Sequence, residues 1–123
     1  MLDTHVLLWW LQDNPRLGQR TRGLIADPAN EIMISIATPW EISVKHRIGK
    51  MSESGAAIMA AVIDQDIAVI DLTAAHLTVL EAMPLLHRDP FDLLIIAQAL
   101  GEQAAIITDD AMFPGYGVLC LDA

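Results

Sequence analysis

The chain alternates short segments rich in β-branched residues with longer apolar segments of helical length. The predicted strands are EIMISIA (31–37), IAVIDL (67–72) and AAIITDD (104–110), with YGVLCLD (116–122) as a candidate last strand. The predicted helices occupy 4–13, 17–27, 38–50, 52–66, 73–83 and 89–103. Strands that alternate with helices form a parallel sheet with helices on both faces, so we expect an α/β fold with three layers, α/β/α.

The size and charge of the chain narrow the classes of function. A length of 123 residues is expected to form one domain, residues 1–123. Hydrophobic residues make up 54% of it, so we expect some apolar surface to be buried against a partner or a second copy. The 16 acidic and 7 basic side chains give a net charge of −9, which argues against binding nucleic acid through a basic surface alone. An enzyme that bridges its carboxylates to phosphates through a divalent cation remains compatible with this charge.

Cysteine usage and hydropathy indicate the compartment. The single cysteine, Cys120, excludes an internal disulfide and a cysteine-rich zinc site, which fits a reducing cytosol. No apolar run reaches the roughly 18 residues of a membrane span, and no basic-then-apolar leader opens the chain. We therefore expect a cytoplasmic protein with no membrane association.

Acidic residues cluster where a parallel sheet places its ligand site, at the carboxyl ends of the strands. Glu41 follows the first predicted strand, and Asp109 and Asp110 form the end of the third. Asp3 precedes the first helix and could cap it. The full set of acids considered for a site is Asp3, Glu41, Asp89, Asp92, Asp109 and Asp110.

The same acids also have local structural interpretations. Asp89 suits the N-cap of a helix whose first turn contains Pro90, and Asp92 faces the positive end of that helix dipole. Glu41 completes a capping box with Thr38, because T-x-x-E has the spacing of that motif. Capping does not require the carboxylates to meet in space, whereas a metal site does.

Carboxylates that meet at one sheet edge repel one another. A pair about 5 Å apart costs roughly 3 kcal/mol at an effective dielectric constant of about 20. Mg²⁺ or Mn²⁺ would offset this cost, since both prefer hard oxygen ligands. Such an ion polarises a phosphodiester and lowers the pKa of a bound water so that it attacks. Metal-dependent hydrolysis of phosphodiesters is therefore the expected chemistry.

Four stretches, taken in order, resemble the PIN domain family, and within it the VapC-type toxins of bacterial toxin–antitoxin pairs. They are LDTHVLLWWL, TPWEISVKHRIGK, HRDPFDLLIIAQAL and IITDDAMF, and the third is the most specific. The resemblance covers nearly the whole chain. It implies a PIN-like α/β/α fold with a central parallel sheet, and a Mg²⁺- or Mn²⁺-dependent endoribonuclease that hydrolyses RNA with a metal-activated water.

The resemblance also implies roles for individual residues. The catalytic and metal-binding acids would be Asp3 in LDTH, Glu41 in WEI, Asp92 in DPFD and Asp110 in the T-x-D pattern. Asp109 falls in the variable position of that pattern. Residues expected to orient these acids or to contact the substrate are Thr4, Lys45, Arg88, Asp89, Thr108 and Asp109.

One departure from the family concerns the start of the chain. Only Met1 and Leu2 precede Asp3, where the family usually has several apolar residues that form the central first strand. Either the chain is trimmed upstream or this strand is unusually short, and the position of Asp3 depends on the answer.

The expected partners are an RNA substrate, an antitoxin that blocks the site, and a second copy in a homodimer. Two alternatives remain open: a non-catalytic PIN-like module that binds RNA or protein, and another Mg²⁺-dependent phosphotransfer or phosphatase domain. A haloacid-dehalogenase-like phosphatase needs a second Asp two residues after its nucleophile, where this chain has His5. A non-catalytic module would be expected to lack one of the four acids, and none is lacking.

Aromatic and histidine residues leave further alternatives. Trp9, Trp10 and Trp40 could stack on RNA bases, although a core or interface position is the commoner role. Trp9 and Trp10 diverge by about 100° on a helix, so they cannot both face one core. His76 is expected on a helix surface, and His87 could contact a phosphate, although a solvated position is favoured.

Overall fold

The computed structural model describes residues 1–86 and 88–123, so His87 and its predicted phosphate contact lie outside the described residues. The helices are α1 (Thr4–Leu11), α2 (Gln19–Ala26), α3 (Ala37–Arg47), α4 (Gly55–Asp64), α5 (Ala74–Ala82) and α6 (Pro90–Gly101). The strands are β1 (Met33–Ser35), β2 (Ala68–Ile70), β3 (Ile106–Ile107) and β4 (Cys120–Leu121), and a 3-10 helix spans Phe113–Tyr116. Each predicted segment overlaps one of these helices or strands. Within the described ranges, no helix has both the length and the apolar character needed to cross a membrane.

The first residues of the chain join two pairs of parallel strands. β1 pairs with β2, and β3 pairs with β4. Between the pairs, the Leu2 amide donates to the Met33 carbonyl (2.9 Å) and the Asp3 amide donates to the Ile107 carbonyl (3.1 Å). Leu2 and Ile107 form a parallel bridge. The strands therefore lie in the order β2, β1, residues 1–3, β3, β4.

Both faces of this sheet are covered. Adjacent residues of a strand point to opposite faces, and the strands divide their side chains accordingly. Ile34 and Ile107 pack with buried side chains of α1, α2 and α4. Met33 and Ile106 pack with α6 and the 3-10 helix on the other side. The predicted three-layer α/β/α fold with a central parallel sheet is confirmed.

The N-terminus of α6 has the cap that the sequence predicts. Asp89 Oδ1 accepts hydrogen bonds from the amides of Phe91 (2.9 Å) and Asp92 (3.4 Å). Pro90 occupies the first turn, where its missing N–H costs nothing. This cap places Asp92 in the first turn of α6, close to Asp89.

The capping box predicted from Thr38 and Glu41 is wrong. α3 begins at Ala37, immediately after β1, and the Ala37 amide donates to Ser35 Oγ (2.9 Å). Thr38 is therefore a buried residue inside the helix rather than its cap. Glu41 lies more than one turn into the helix, and its carboxylate accepts a hydrogen bond from Thr4 instead.

The surface position predicted for His76 is also wrong. Thr73 caps α5, and its partner in a reciprocal capping box is His76, whose Nδ1 accepts from the Thr73 amide (3.1 Å). The other ring nitrogen, Nε2, lies 2.9 Å from a carboxylate oxygen of Glu102. Only 3% of His76 is exposed. Burial of the polar ring costs little free energy because both ring nitrogens have hydrogen-bond partners.

The contact between α3 and α4 depends on Gly55. A Cβ at this position would lie 1.9 Å from Ser43 Oγ and 2.5 Å from the Pro39 carbonyl oxygen, and the second atom is backbone. We expect Gly55→Ala to lower the free energy of unfolding by about 1–3 kcal/mol, the usual cost of overpacking. Gly23→Ala is the matched control, because nothing lies within 4 Å of its Cβ and Ala favours a helix by up to about 1 kcal/mol.

Urea unfolding followed by circular dichroism measures both variants. A Gly55→Ala midpoint equal to or above that of the wild type would contradict the close packing of the two helices.

Candidate metal centre

A cleft of about 320 Å³ opens between the start of α1, α3, the start of α6 and the segment after β3. All six acids considered from the sequence line it: Asp3, Glu41, Asp89, Asp92, Asp109 and Asp110. They come from four separate parts of the chain, so the fold itself brings them together. Thr4 and Lys45 also line the cleft.

Asp3 is buried at the inner end of the cleft, with 7% of its surface exposed. Its Oδ1 accepts from the Thr4 amide (2.7 Å), so Asp3 is the N-cap of α1. Its Oδ2 accepts from the Thr108 hydroxyl (2.7 Å). Burial raises the pKa of Asp3 above its ordinary value, while the hydrogen bonds from Thr108 and Thr4 act in the opposite direction.

Glu41 is also buried, and both of its carboxylate oxygens have partners. Oε1 accepts from the Thr4 hydroxyl (2.9 Å), and Oε2 pairs with Lys45 Nζ (2.7 Å) one helical turn away. The hydrogen bond with Glu41 raises the pKa of Lys45 against the opposing effect of burial, and the charges of Asp89 and Asp92 raise it further. The Lys45 ammonium is thus a cation held near several carboxylates.

The segment after β3 supplies two acids with different surroundings. Thr108 Oγ1 accepts from the Asp110 amide (3.0 Å), and Asp110 Oδ1 accepts from the Met112 amide (2.9 Å). Asp109 is exposed, and its Oδ1 accepts from the Ala123 amide (3.0 Å). Asp110 is therefore linked to the buried Asp3 carboxylate through hydrogen bonds to Thr108. Asp109 instead hydrogen-bonds to the backbone of Ala123.

The remaining predicted site residues differ in position. Asp92 is half-buried and lines the cleft from the first turn of α6, with Asp89 beside it as the helix cap. Arg88 is exposed and is not part of the cleft wall. His5 and Trp9 also line it, although the sequence favoured a core or interface position for Trp9 and assigned no site role to His5. Their spacing of four residues was the available signal, because it places the two side chains next to each other on one face of a helix whose N-cap is Asp3.

The donor set matches a divalent cation in type, since it consists of carboxylate oxygens supported by hydroxyls. As the side chains stand in residues 1–86 and 88–123, no three acidic, histidine or cysteine groups are arranged to hold one ion together. Glu41 is instead engaged by Lys45. Binding an ion to several of these groups at once therefore requires side chains to move from the positions that they hold here.

The family of the chain follows from comparison with known proteins. The PIN domain profile matches residues 1–119, and the chain belongs to the PIN domain family. Among the curated proteins, none matches the chain significantly.

Two solved structures show a similar fold. One is the crystal structure of VapBC2 from Rickettsia felis bound to a DNA fragment from their promoter, with a TM-score of 0.77 and 20% identity. The other is VapBC-1 from nontypeable Haemophilus influenzae, with a TM-score of 0.67 and 19% identity. Each match covers 99% of this chain and 96% of the other chain. At this level of identity the similarity shows the fold alone.

The raised pKa of Asp3 predicts a pH-dependent cost to stability. The folded state holds the Asp3 proton more tightly than the unfolded state, so stability falls as pH rises above the ordinary value of 3.8 and through the raised pKa. We expect Asp3→Asn to be more stable than the wild type at pH 7 in chelator, with the difference disappearing below pH 3.8.

Urea unfolding across this pH range measures the effect. Asp64→Asn is the control, because Asp64 is exposed on α4, and it should change stability little at any pH. An Asp3→Asn variant that is less stable than the wild type at pH 7 would mean that the lost hydrogen bonding outweighs the relief of burial.

Proposed function

We propose that this protein is a Mg²⁺- or Mn²⁺-dependent endoribonuclease and the toxin of a toxin–antitoxin pair. The observation that carries the proposal is the convergence of acids from four parts of the chain in one cleft. Capping explains Asp3 and Asp89 individually, but it gives no reason for Glu41 and Asp110 to share their surroundings. Membership of the PIN domain family and a fold similar to chains of VapBC structures support the same function.

Asp3, Glu41, Asp92 and Asp110 are the residues that would hold the ion. A bound divalent ion supplies Lewis-acid activation of the phosphodiester and of the attacking water. All four acids are retained, which favours an enzyme over a non-catalytic binding module.

The hydroxyl groups of the cleft position two of these acids. Thr108 donates to Asp3, and Thr4 donates to Glu41, so each buried carboxylate keeps one oxygen in a fixed direction. Lys45 neutralises part of the negative charge that would otherwise repel an RNA phosphate.

We extend the proposal to two protein partners, an antitoxin and a second copy of the chain. Trp40, Val44 and Ile48 follow one another at four-residue intervals on and just after α3, and 53%, 36% and 58% of their surfaces are exposed. An apolar stripe of this kind is unfavourable in water and is typical of a protein contact. The two similar structures are of VapBC assemblies, which supports an antitoxin as one of the partners.

Cleavage of RNA by the purified protein tests the enzymatic proposal. We expect cleavage of total cellular RNA with Mg²⁺ or Mn²⁺, none with chelator, and a loss of about 100-fold or more in Asp92→Asn. That scale is the one found when a single group that stabilises charge in the transition state is removed. The substitution keeps the size of the side chain and removes its charge.

Asp64→Asn, purified in the same way, is the matched control, since it makes the same chemical change on the exposed surface of α4. It should cleave as the wild type does. Equal cleavage by all three proteins would indicate a contaminating nuclease, and absence of cleavage by the wild type with either metal would contradict the proposed function.

A further inference from the structure

Two aromatic side chains form one wall of the cleft that contains the acids. His5 and Trp9 lie one turn apart on α1, and both line the cleft together with Asp3. Their ring centroids are 6.3 Å apart and their planes are inclined by 29°, which is an offset stacked arrangement. This arrangement gives the cleft a stacked aromatic surface beside the proposed metal ligands.

The fold uses this surface as core only in part, since Trp9 packs against the core with part of its ring. His5 is exposed and Trp9 is only half-buried, whereas Val6, Leu7 and Leu8 of the same helix supply its buried face. An exposed ring next to a polar cleft is available to a ligand.

The neighbouring tryptophan provides a contrast. Trp10 is half-buried as well, but its Nε1 donates to Gln65 Oε1 (2.7 Å), and it lines a different surface cavity with Ile25 and Ile67. The step of about 100° between adjacent helix residues separates the two indole rings. Only Trp9 therefore faces the acids.

A positive charge accompanies the aromatic pair. The Arg16 guanidinium carbon lies 6.0 Å from the centroid of the Trp9 ring, within the range of a cation–π contact, and Arg16 is exposed. In a chain with a net charge of −9, Arg16 is therefore a cation beside Trp9, in addition to Lys45, which lines the cleft and pairs with Glu41. Aromatic rings beside an Arg are the combination that binds unpaired bases and their phosphates, because bases stack on the rings and the cation attracts the backbone.

We propose that His5, Trp9 and Arg16 form a subsite that stacks an unpaired base of single-stranded RNA next to the cleaved phosphodiester. The proposal rests on the proposed function, since the subsite would hold part of the RNA that the proposed nuclease cleaves. Stacking accepts any base, so this subsite selects for unpaired structure rather than for sequence.

Binding of two probes with equal charge tests the subsite. One is an RNA decamer of adenosines, and the other is a decamer of abasic ribose phosphates, which has the same backbone without bases. Ca²⁺ replaces Mg²⁺ to neutralise the carboxylates, and a gel checks that each probe stays intact. We expect the wild type to bind the adenosine decamer about 10-fold or more tightly than the abasic one, with quenching of tryptophan fluorescence.

The adjacent tryptophans supply a matched pair of variants. Trp9→Leu should lose about 10-fold in affinity for the adenosine decamer, lose most of the quenching, and bind the abasic decamer as before. Trp10→Leu should behave as the wild type with both probes. Because Trp9 also packs partly against the core, His5→Ala is the second test, and it should weaken adenosine binding without altering the urea midpoint.

The outcomes separate this inference from the proposed function. Unchanged base preference in both Trp9→Leu and His5→Ala overturns the subsite, as does a wild type that binds neither probe or binds both equally. If the wild type cleaves RNA and Trp9→Leu cleaves it with the same KM, the nuclease stands and the subsite fails. If base-dependent binding requires Trp9 but no metal supports cleavage, the subsite stands and the nuclease fails.

Discussion

The position of residues 1–3 between the two strand pairs is the constraint on which the rest of the site depends. Leu2 is fully buried and hydrogen-bonds to β1, and the Asp3 amide hydrogen-bonds to Ile107 at the end of β3. The chain then turns directly into α1, so Asp3 is at once the end of an extended segment and a helix cap. Thr108 follows Ile107, which is why its hydroxyl reaches the Asp3 carboxylate. Without this segment, nothing among the described strand pairings would join β1 to β3.

The buried carboxylates of the cleft lower the stability of the fold, although they are the groups on which the proposed chemistry depends. Burial disfavours the charge on Asp3, and Glu41 is buried to a similar degree. The fold compensates with local donors, since the hydroxyls of Thr4 and Thr108 each bind one of these carboxylates and Lys45 pairs with Glu41. Groups that are retained although they weaken folding are typical of functional sites. A cation that entered this cleft would have to compete with Lys45 for Glu41.

The fold class and several helix starts could be predicted because their causes are local in the sequence. Asp89 and Thr73 cap the helices that follow them, and a cap is decided by residues within one turn. The alternation of strands and helices indicates the α/β class for the same reason. The acids at the carboxyl ends of the predicted strands could be expected to meet, because parallel strands place those ends at one edge of the sheet.

The errors concern contacts between residues that are distant in the sequence. T-x-x-E has the spacing of a capping box, but α3 begins before Thr38, and Thr4 from another helix takes one oxygen of Glu41. His76 is buried because Glu102 lies against its ring, and no local pattern shows a partner that far along the chain. The expectation that Trp9 and Trp10 cannot both face one core is wrong, because both pack partly against the same core cluster as Leu7 and Leu8. Their divergence could be predicted, but only the fold decides which of them lines the cleft with the acids.

The central claim is that Asp3, Glu41, Asp92 and Asp110 together bind a divalent metal ion. Calorimetric titration of Mn²⁺ into the chelator-treated wild type, Asp92→Asn and Asp64→Asn tests this claim without relying on activity. We predict a saturable site in the wild type, the same site in Asp64→Asn, and an affinity at least about 10-fold weaker in Asp92→Asn. Equal affinity in all three proteins, or no saturable binding to the wild type, would contradict the account.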